Sequence, residues 1–246
     1  MNVSFPFEHV RVVLSRPSHP GNIGAAARAM KTMGLSRLWL VSPSAFPNPV
    51  AEARAHGAAD VLATAQKVDT LQEALAGTVF SAALTARRRD LSLPRADPRA
   101  AAAELVAWGG QGEVALVFGN ETSGLTNQEL ALCARPVTIP ANPAYSSLNL
   151  GAAVQLMCYE LRLAATRPNG PAAFPEAPPN LATHDEIEGF FEHLESSIVA
   201  SGFLDAAQPR RLMAKLRRLF GRTRLEKEEI AILRGILASF KDNLPR

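Results

Sequence analysis

Four side chains suited to handling a polar substrate, Arg28, Glu121, Ser147 and Asn149, fall in three segments that share one grammar. Each segment reads as a buried strand, a turn rich in Gly, Pro, Asn or Ser, and the start of a helix. In the first, Val10, Val12, Val13 and Leu14 lead through the loop 15–21 into an Ala-rich helix that Asn22 would cap and that carries Arg28. In the second, Val114-Ala-Leu-Val-Phe118 enters Gly119-Asn-Glu-Thr-Ser-Gly124, and Thr126 with Glu129 reads as a capping box. The third, Val137 to Ala152, is the richest. Pro140, Asn142 and Pro143 bias it away from helix, and Ser146 or Ser147 would cap a helix whose apolar positions are Leu150, Val154, Met157, Leu161 and Ala165. A helix start of that kind offers unpaired N–H donors to a phosphate or another polar ligand, and the same residues would also serve a capped loop that binds nothing.

The elements that must position these loops follow from periodicity. Strands are expected near 10–14, 37–41, 79–85, 114–118 and 136–139, and helices near 22–33, 50–66, 98–107, 126–133 and 147–165. Strands alternating with helices make an α/β unit with a parallel sheet covered on both faces, and its loops bind ligands at the carboxyl ends of the strands. This unit should run over residues 1–166, followed by a proline-rich connector at 167–182 holding Pro168, Pro171, Pro175, Pro178 and Pro179. A helical extension over 183–246 should open on a Thr183–Glu186 capping box. Its stripes are Ile187, Phe190, Phe191, Leu194 and Ile198, then Leu212, Leu216, Leu219 and Phe220, then Ile230, Leu233, Ile236, Leu237 and Phe240.

Composition narrows the function classes. A net charge of +3 identifies no partner, but Arg210, Arg211, Lys215, Arg217, Arg218, Arg222 and Arg224 follow one another without an acid between them. Such a run is either a solvated helix face or a phosphate-binding one, and the lack of interleaved acids favours nucleic acid. No apolar run is long enough to span a bilayer and the N-terminus lacks a signal-peptide layout, so a cytoplasmic protein is expected. Cys133 and Cys158 show no metal spacing, and the five histidines form no ligand cluster, so no metal is expected.

The segments His19–Met30, Phe118–Leu125 and Ile139–Leu150 together resemble, in order and spacing, the three motifs of the SpoU/TrmH (SPOUT) RNA 2′-O-methyltransferases. Within that family the chain is most similar to the TrmJ branch, the tRNA cytidine/uridine 2′-O-methyltransferases. The likeness extends to Met30–Leu35, Trp39–Val41, Lys215–Phe220 and Leu233–Ala238, which leaves out little beyond the proline-rich stretch.

The resemblance implies a SPOUT fold with a C-terminal trefoil knot, a homodimer, and S-adenosyl-L-methionine bound by Leu84, Thr85, Ala86, Gly119, Ile139, Ser146, Ser147 and Leu148. An apolar slot with free backbone groups suits an adenine, and Gly119 would allow close backbone approach. It also implies attack of a ribose 2′-hydroxyl on the donor methyl, without a covalent intermediate or a metal, on tRNA at position 32 of the anticodon loop. Arg28, Glu121, Ser147 and Asn149 are the catalytic candidates. Asn22, Tyr145, Lys215, Arg217, Arg218 and Arg222 are candidates for holding RNA.

Several roles stay open at this level. Arg28 could act as base, orienter or phosphate clamp, although a guanidinium is a poor base. Glu121 and Asn149 could serve the chemistry or fasten a turn, and Tyr145 could stack on a base or pack at an interface. Asn120 stands where close TrmJ relatives commonly carry Arg, which puts one phosphate contact in doubt. Three other functions compete. A dinucleotide enzyme lacks its glycine fingerprints here, a noncatalytic RNA binder would not need Arg28, Glu121, Ser147 and Asn149 together, and a Ser123 or Ser147 hydrolase lacks a nucleophile elbow.

Overall fold

The computed structural model describes residues 7–86, 94–166, 180–205, 207 and 211–242. Most of the expected connector, 167–179, lies outside them. The chain divides into two compact units, Met1–Ala177 and Pro178–Arg246.

The first unit is a six-stranded sheet in the order β3-β2-β1-β5-β4-β6, with every pairing parallel. Its strands are β1 (Val10–Ser15), β2 (Leu38–Val41), β3 (Gln66–Val68), β4 (Phe80–Leu84), β5 (Val114–Phe118) and β6 (Arg135–Val137). Helices α1 (Pro20–Thr32), α2 (Pro49–Ala55), α3 (Ala59–Ala63), α5 (Pro98–Gly109) and α7 (Leu150–Thr166) contribute to the core on one face. α4 (Leu71–Leu75) and α6 (Asn127–Ala131) contribute to the core on the other. The continuous apolar strands are explained by this two-sided cover. Val12, Leu14, Leu116 and Phe118 enter the larger core, while Val13, Ala115 and Val117 enter the smaller.

Strand order reverses between β1 and β5, where Leu14 pairs with Phe118. The chain therefore leaves both strands at the same level, and the loops after them flank a crevice at the carboxyl edge of the sheet. The opposite end is closed by charge: the buried Arg11 guanidinium bonds Glu113 and the Ala74 carbonyl and lies 4.6 Å from the Trp39 ring, with Arg37 also bonded to Glu113.

The structure corrects four local expectations. The helix expected over 50–66 breaks at His56 and Gly57, whose φ values of 35° and 74° are left-handed, giving α2 and α3. β3 and α4 were not visible in the pattern, because β3 is a three-residue edge strand with two exposed positions and α4 is barely more than one turn. The cap of α1 is His19, whose Nδ1 accepts from Gly21 N at 3.1 Å. Pro20 fills the first helical position, where no N–H is needed. Helix α7 begins at Leu150, and Asn149 Oδ1, not a serine, accepts from Gly151 N at 3.0 Å. The capping boxes at Thr126–Glu129 and Thr183–Glu186 have both hydrogen bonds.

The second unit contains α8 (His184–Ala200), α9 (Leu212–Phe220) and α10 (Lys227–Asp242). Phe190, Phe191 and Phe220 form its centre with ring centroids 5.0–6.2 Å apart, and Ala182, Leu225, Ile230 and Leu237 are buried around them. The stripe expected on α9 is mostly not interior. No residue of α9 is buried, and Leu219 is 50% exposed. Ile236 and Phe240 of α10 are likewise exposed.

Candidate active site

The loop after β1 and the loop after β5 are tied together by one carboxylate. Glu121 accepts from Ser18 N at 2.9 Å, Ser18 Oγ at 2.8 Å, His19 N at 3.2 Å and Asn22 Nδ2 at 3.0 Å. Burial pushes the carboxyl up, but the bonds from Asn22 and Ser18 outweigh it and hold its pKa down to about 2. Glu121 is thus ionised at neutral pH, with both oxygens occupied.

The chain of bonds continues into the third loop. Because Asn22 turns its amide nitrogen to Glu121, its Oδ1 is left to accept from Asn149 Nδ2 at 3.0 Å, and Asn149 Oδ1 then accepts from Gly151 N. A pure acceptor at one end and a pure donor at the other fix the orientation of both amides. The three motif segments are therefore joined by Glu121, Asn22 and Asn149 in a single file. His19, by capping α1, releases Asn22 to a position inside the first turn where it can make these contacts.

Beside this file lies an open cleft at the carboxyl edge of the sheet. Every residue expected to hold a cofactor lines it: Leu84, Thr85, Ala86, Gly119, Ile139, Ser146, Ser147 and Leu148. Phe118, Asn120, Glu121, Gly124, Leu150 and Ala153 complete the wall. Among the described residues, the backbone N–H groups of Ser146, Ser147 and Leu148 donate no hydrogen bond. Apolar side chains, free amide donors and a fixed negative charge suit a ligand with a flat heterocycle, polar ends and a cationic centre.

The close approach expected of Gly119 is to its own loop. A Cβ there would sit 2.3 Å from Leu125 N and 2.4 Å from the Gly124 carbonyl carbon, so the glycine lets the turn close. Asn120 supports the same turn: its Oδ1 accepts from Thr122 N and Ser123 N, and its Nδ2 donates to the Arg16 carbonyl at 2.8 Å. The amide here organises backbone. Thr138 ties the floor, with its hydroxyl donating to the Thr85 carbonyl at 2.9 Å and accepting from Arg95. The Ser18 hydroxyl, Thr138 and Arg95 were missed by sequence reasoning, because a hydroxyl in a loop carries no spacing signal.

Arg28 is exposed on α1 and lines a neighbouring cleft that Asn149 also lines, one bond from Asn22 and two from Glu121. Tyr145, 76% exposed, follows a turn in which Asn142 Oδ1 accepts from Ala144 N. In the helical unit Lys215, Arg218 and Arg222 are exposed. Arg217 departs from the expectation of a phosphate-facing cation. It forms a two-pronged pair with Glu188 at 2.5 and 2.7 Å and lies 4.3 Å from the Phe191 ring, so it holds α9 to α8.

Residues 9–159 match the SpoU rRNA methylase family, and residues 185–245 match the C-terminal domain of the tRNA methyltransferase TrmJ. The chain belongs to the SpoU methylase family. It is 50% identical over 236 residues to the tRNA (cytidine/uridine-2′-O-)-methyltransferase TrmJ of Salmonella typhimurium, covering 95% of this chain and 97% of that relative. The crystal structure of TrmJ from Z. mobilis matches at 34% identity with a TM-score of 0.81, covering 94% of this chain and 98% of that one. A probable methylase family protein from Haemophilus influenzae matches at 42% identity and a TM-score of 0.63, covering 97% and 98%. For a SpoU methylase, the cleft and the Glu121–Asn22–Asn149 file lie where the three motifs meet. No group of three or more His, Cys, Asp or Glu among the described residues could hold a metal, and no helix among them is long and apolar enough to cross a membrane.

Proposed function

We propose that the protein transfers a methyl group from S-adenosyl-L-methionine to the 2′-hydroxyl of a pyrimidine ribose in tRNA. The observation that carries this reading is the single hydrogen-bonded file from Glu121 through Asn22 to Asn149, set against a cleft lined by all eight expected donor-binding residues. The identity to TrmJ over nearly the whole chain supports tRNA as substrate and cytidine or uridine as the nucleotide. Position 32 of the anticodon loop is the member of that class the reading selects. The proposal includes the trefoil knot of the SPOUT fold, a homodimer acting in the cytoplasm, and a division into residues 1–166 for catalysis and 183–246 for holding RNA.

The donor would lie against Leu84, Thr85, Ala86, Ile139 and Leu148, with its polar ends on the free N–H groups of the loop 146–148. It supplies an activated methyl whose sulfur is cationic, so the reaction needs no further cofactor. Glu121 positions the Ser18–Asn22 loop, because its oxygens are already committed to four donors. Ser147 and Asn149 orient the ribose, and Tyr145 offers an exposed ring to a base. A guanidinium keeps its proton at neutral pH, so Arg28 aligns the hydroxyl and steadies the adjoining phosphate, and the hydroxyl proton leaves to water.

The experiment is mass mapping of total tRNA from cells with and without the gene. The expected result is loss of one 2′-O-methylated pyrimidine at position 32. An unchanged tRNA ribose methylation pattern would contradict the proposal, as would a noncatalytic RNA binder that retains tRNA and takes up no donor.

A further inference from the structure

A second cleft adjoins the first and is lined by Arg28, Arg54, His56, Thr32, Asn149 and Gln155, with small residues between them. No carboxylate is among its lining residues. Among the described residues the Arg28 and Arg54 guanidiniums have no hydrogen-bond or ion-pair partner. Two unpaired guanidiniums on one concave wall repel each other, an arrangement that an anion relieves.

Small residues of α1 let α2, which carries Arg54, pack closely against it. A Cβ on Gly24 would lie 2.9 Å from Arg54 Cβ and 2.1 Å from the Ala51 carbonyl oxygen, and one on Gly21 would lie 3.6 Å from Arg54 Cγ. The Arg54 stem therefore rests on the glycine face of α1, one turn before Arg28 on the same face. His56 stands at the left-handed end of α2 and Asn149 at the start of α7, so three helices contribute to one wall.

We propose that this cleft is a phosphodiester subsite for the RNA strand next to the ribose being methylated, with Arg54 and His56 as its binding residues alongside Arg28. The inference rests on the function proposed above and extends it to two residues outside the three motifs. Asn149 sets the register: it lines the phosphate cleft and bonds to Asn22, which bonds to the Glu121 that lines the donor cleft. A strand whose 2′-hydroxyl faces the donor cleft has its neighbouring phosphate on the Arg54 side of this file.

The test uses the full chain and unmodified tRNA. Affinity is measured against salt concentration for the wild type, Arg54→Gln, His56→Asn, the double variant and Arg54→Lys, together with S-adenosyl-L-methionine affinity and steady-state kinetics. Loss of one phosphate contact should lower the slope of log affinity against log salt by roughly 0.7 and raise KM for tRNA about tenfold in the double variant, with kcat and donor affinity near wild type. Arg54→Lys should restore the slope. Wild-type slopes and KM values in all variants would overturn the proposal, and a fall in melting temperature alone would show that the two residues only complement the end of α2. If the wild type binds tRNA but transfers no methyl, the function reading fails while the salt slopes still decide the subsite.

Discussion

The sheet unit and the helical unit treat their polar side chains differently. In the sheet unit the groups nearest the cleft bond one another: Glu121 takes four donors, Asn22 and Asn149 pass the pattern on, and Asn120 holds the turn beneath them. In the helical unit, one cation of a long basic run is drawn into the scaffold, Arg217 on Glu188 and Phe191, while Lys215 and Arg222 stay exposed. Preorganisation is thus a property of the first unit. The second presents charge on a thin core whose apolar residues Phe203, Leu219, Ile232 and Phe240 are at least half exposed.

The largest effect should come from the first unit. Arg28→Ala is expected to lower kcat by roughly a hundredfold or more while donor affinity, measured by calorimetry, stays unchanged. An equal loss of donor binding would remove Arg28 from the proposed division between the two clefts.

Next comes the bonded file. Glu121→Gln and Asn149→Ala should each destabilise the sheet unit by about 1–3 kcal/mol and slow turnover, with the double variant costing clearly less than the sum, since both break one network. Additive costs would mean that the three loops are held independently.

In the helical unit the same comparison sets two arginines apart. Arg217→Ala should cost about 1–3 kcal/mol of stability by breaking a half-buried pair, whereas Arg222→Ala should leave the melt within about 0.5 kcal/mol and weaken tRNA binding with a shallower salt dependence. If Arg217→Ala weakens binding without moving the melt, the assignment of scaffold and ligand-facing cations is reversed.

The smallest effects are in pH. Glu121 is depressed in the fold, so its stabilisation is present above its ordinary value of 4.5 and fades as pH falls toward about 2. The melting difference between wild type and Glu121→Gln should be full at neutral pH and shrink only below about 4.5. His184 in the second unit is buried, which lowers its pKa against the raising influence of Glu188 and Asp185, with Arg217 adding to the lowering. A base depressed in the fold binds its proton better when unfolded, so its contribution falls as pH drops through the ordinary value of 6.5. The helical unit should therefore loosen in mild acid that leaves the Glu121 clamp intact, as read by hydrogen exchange in each unit.

Much of this arrangement was legible in the sequence, for a physical reason. Buried parallel strands are apolar throughout and capping residues stand at fixed offsets, so β1, β5 and the Thr126 and Thr183 capping boxes were readable. The eight cleft residues were carried by the family resemblance, since neither periodicity nor composition marks Leu84 or Ile139. Contacts between distant loops left no local trace. That Asn22 would bond Asn149 and that Arg217 would face inward depend on neighbours more than 25 positions away. β3 and α4 were too short to establish a period.

The central claim is that the clustered loops bring a methyl donor to a tRNA ribose. Incubation of the purified protein with unmodified tRNA and methyl-labelled S-adenosyl-L-methionine, followed by digestion to nucleosides and mass spectrometry, tests it directly. The expected result is label on the 2′-oxygen of cytidine or uridine. Label on a base, or donor and tRNA both bound with no transfer, would contradict it.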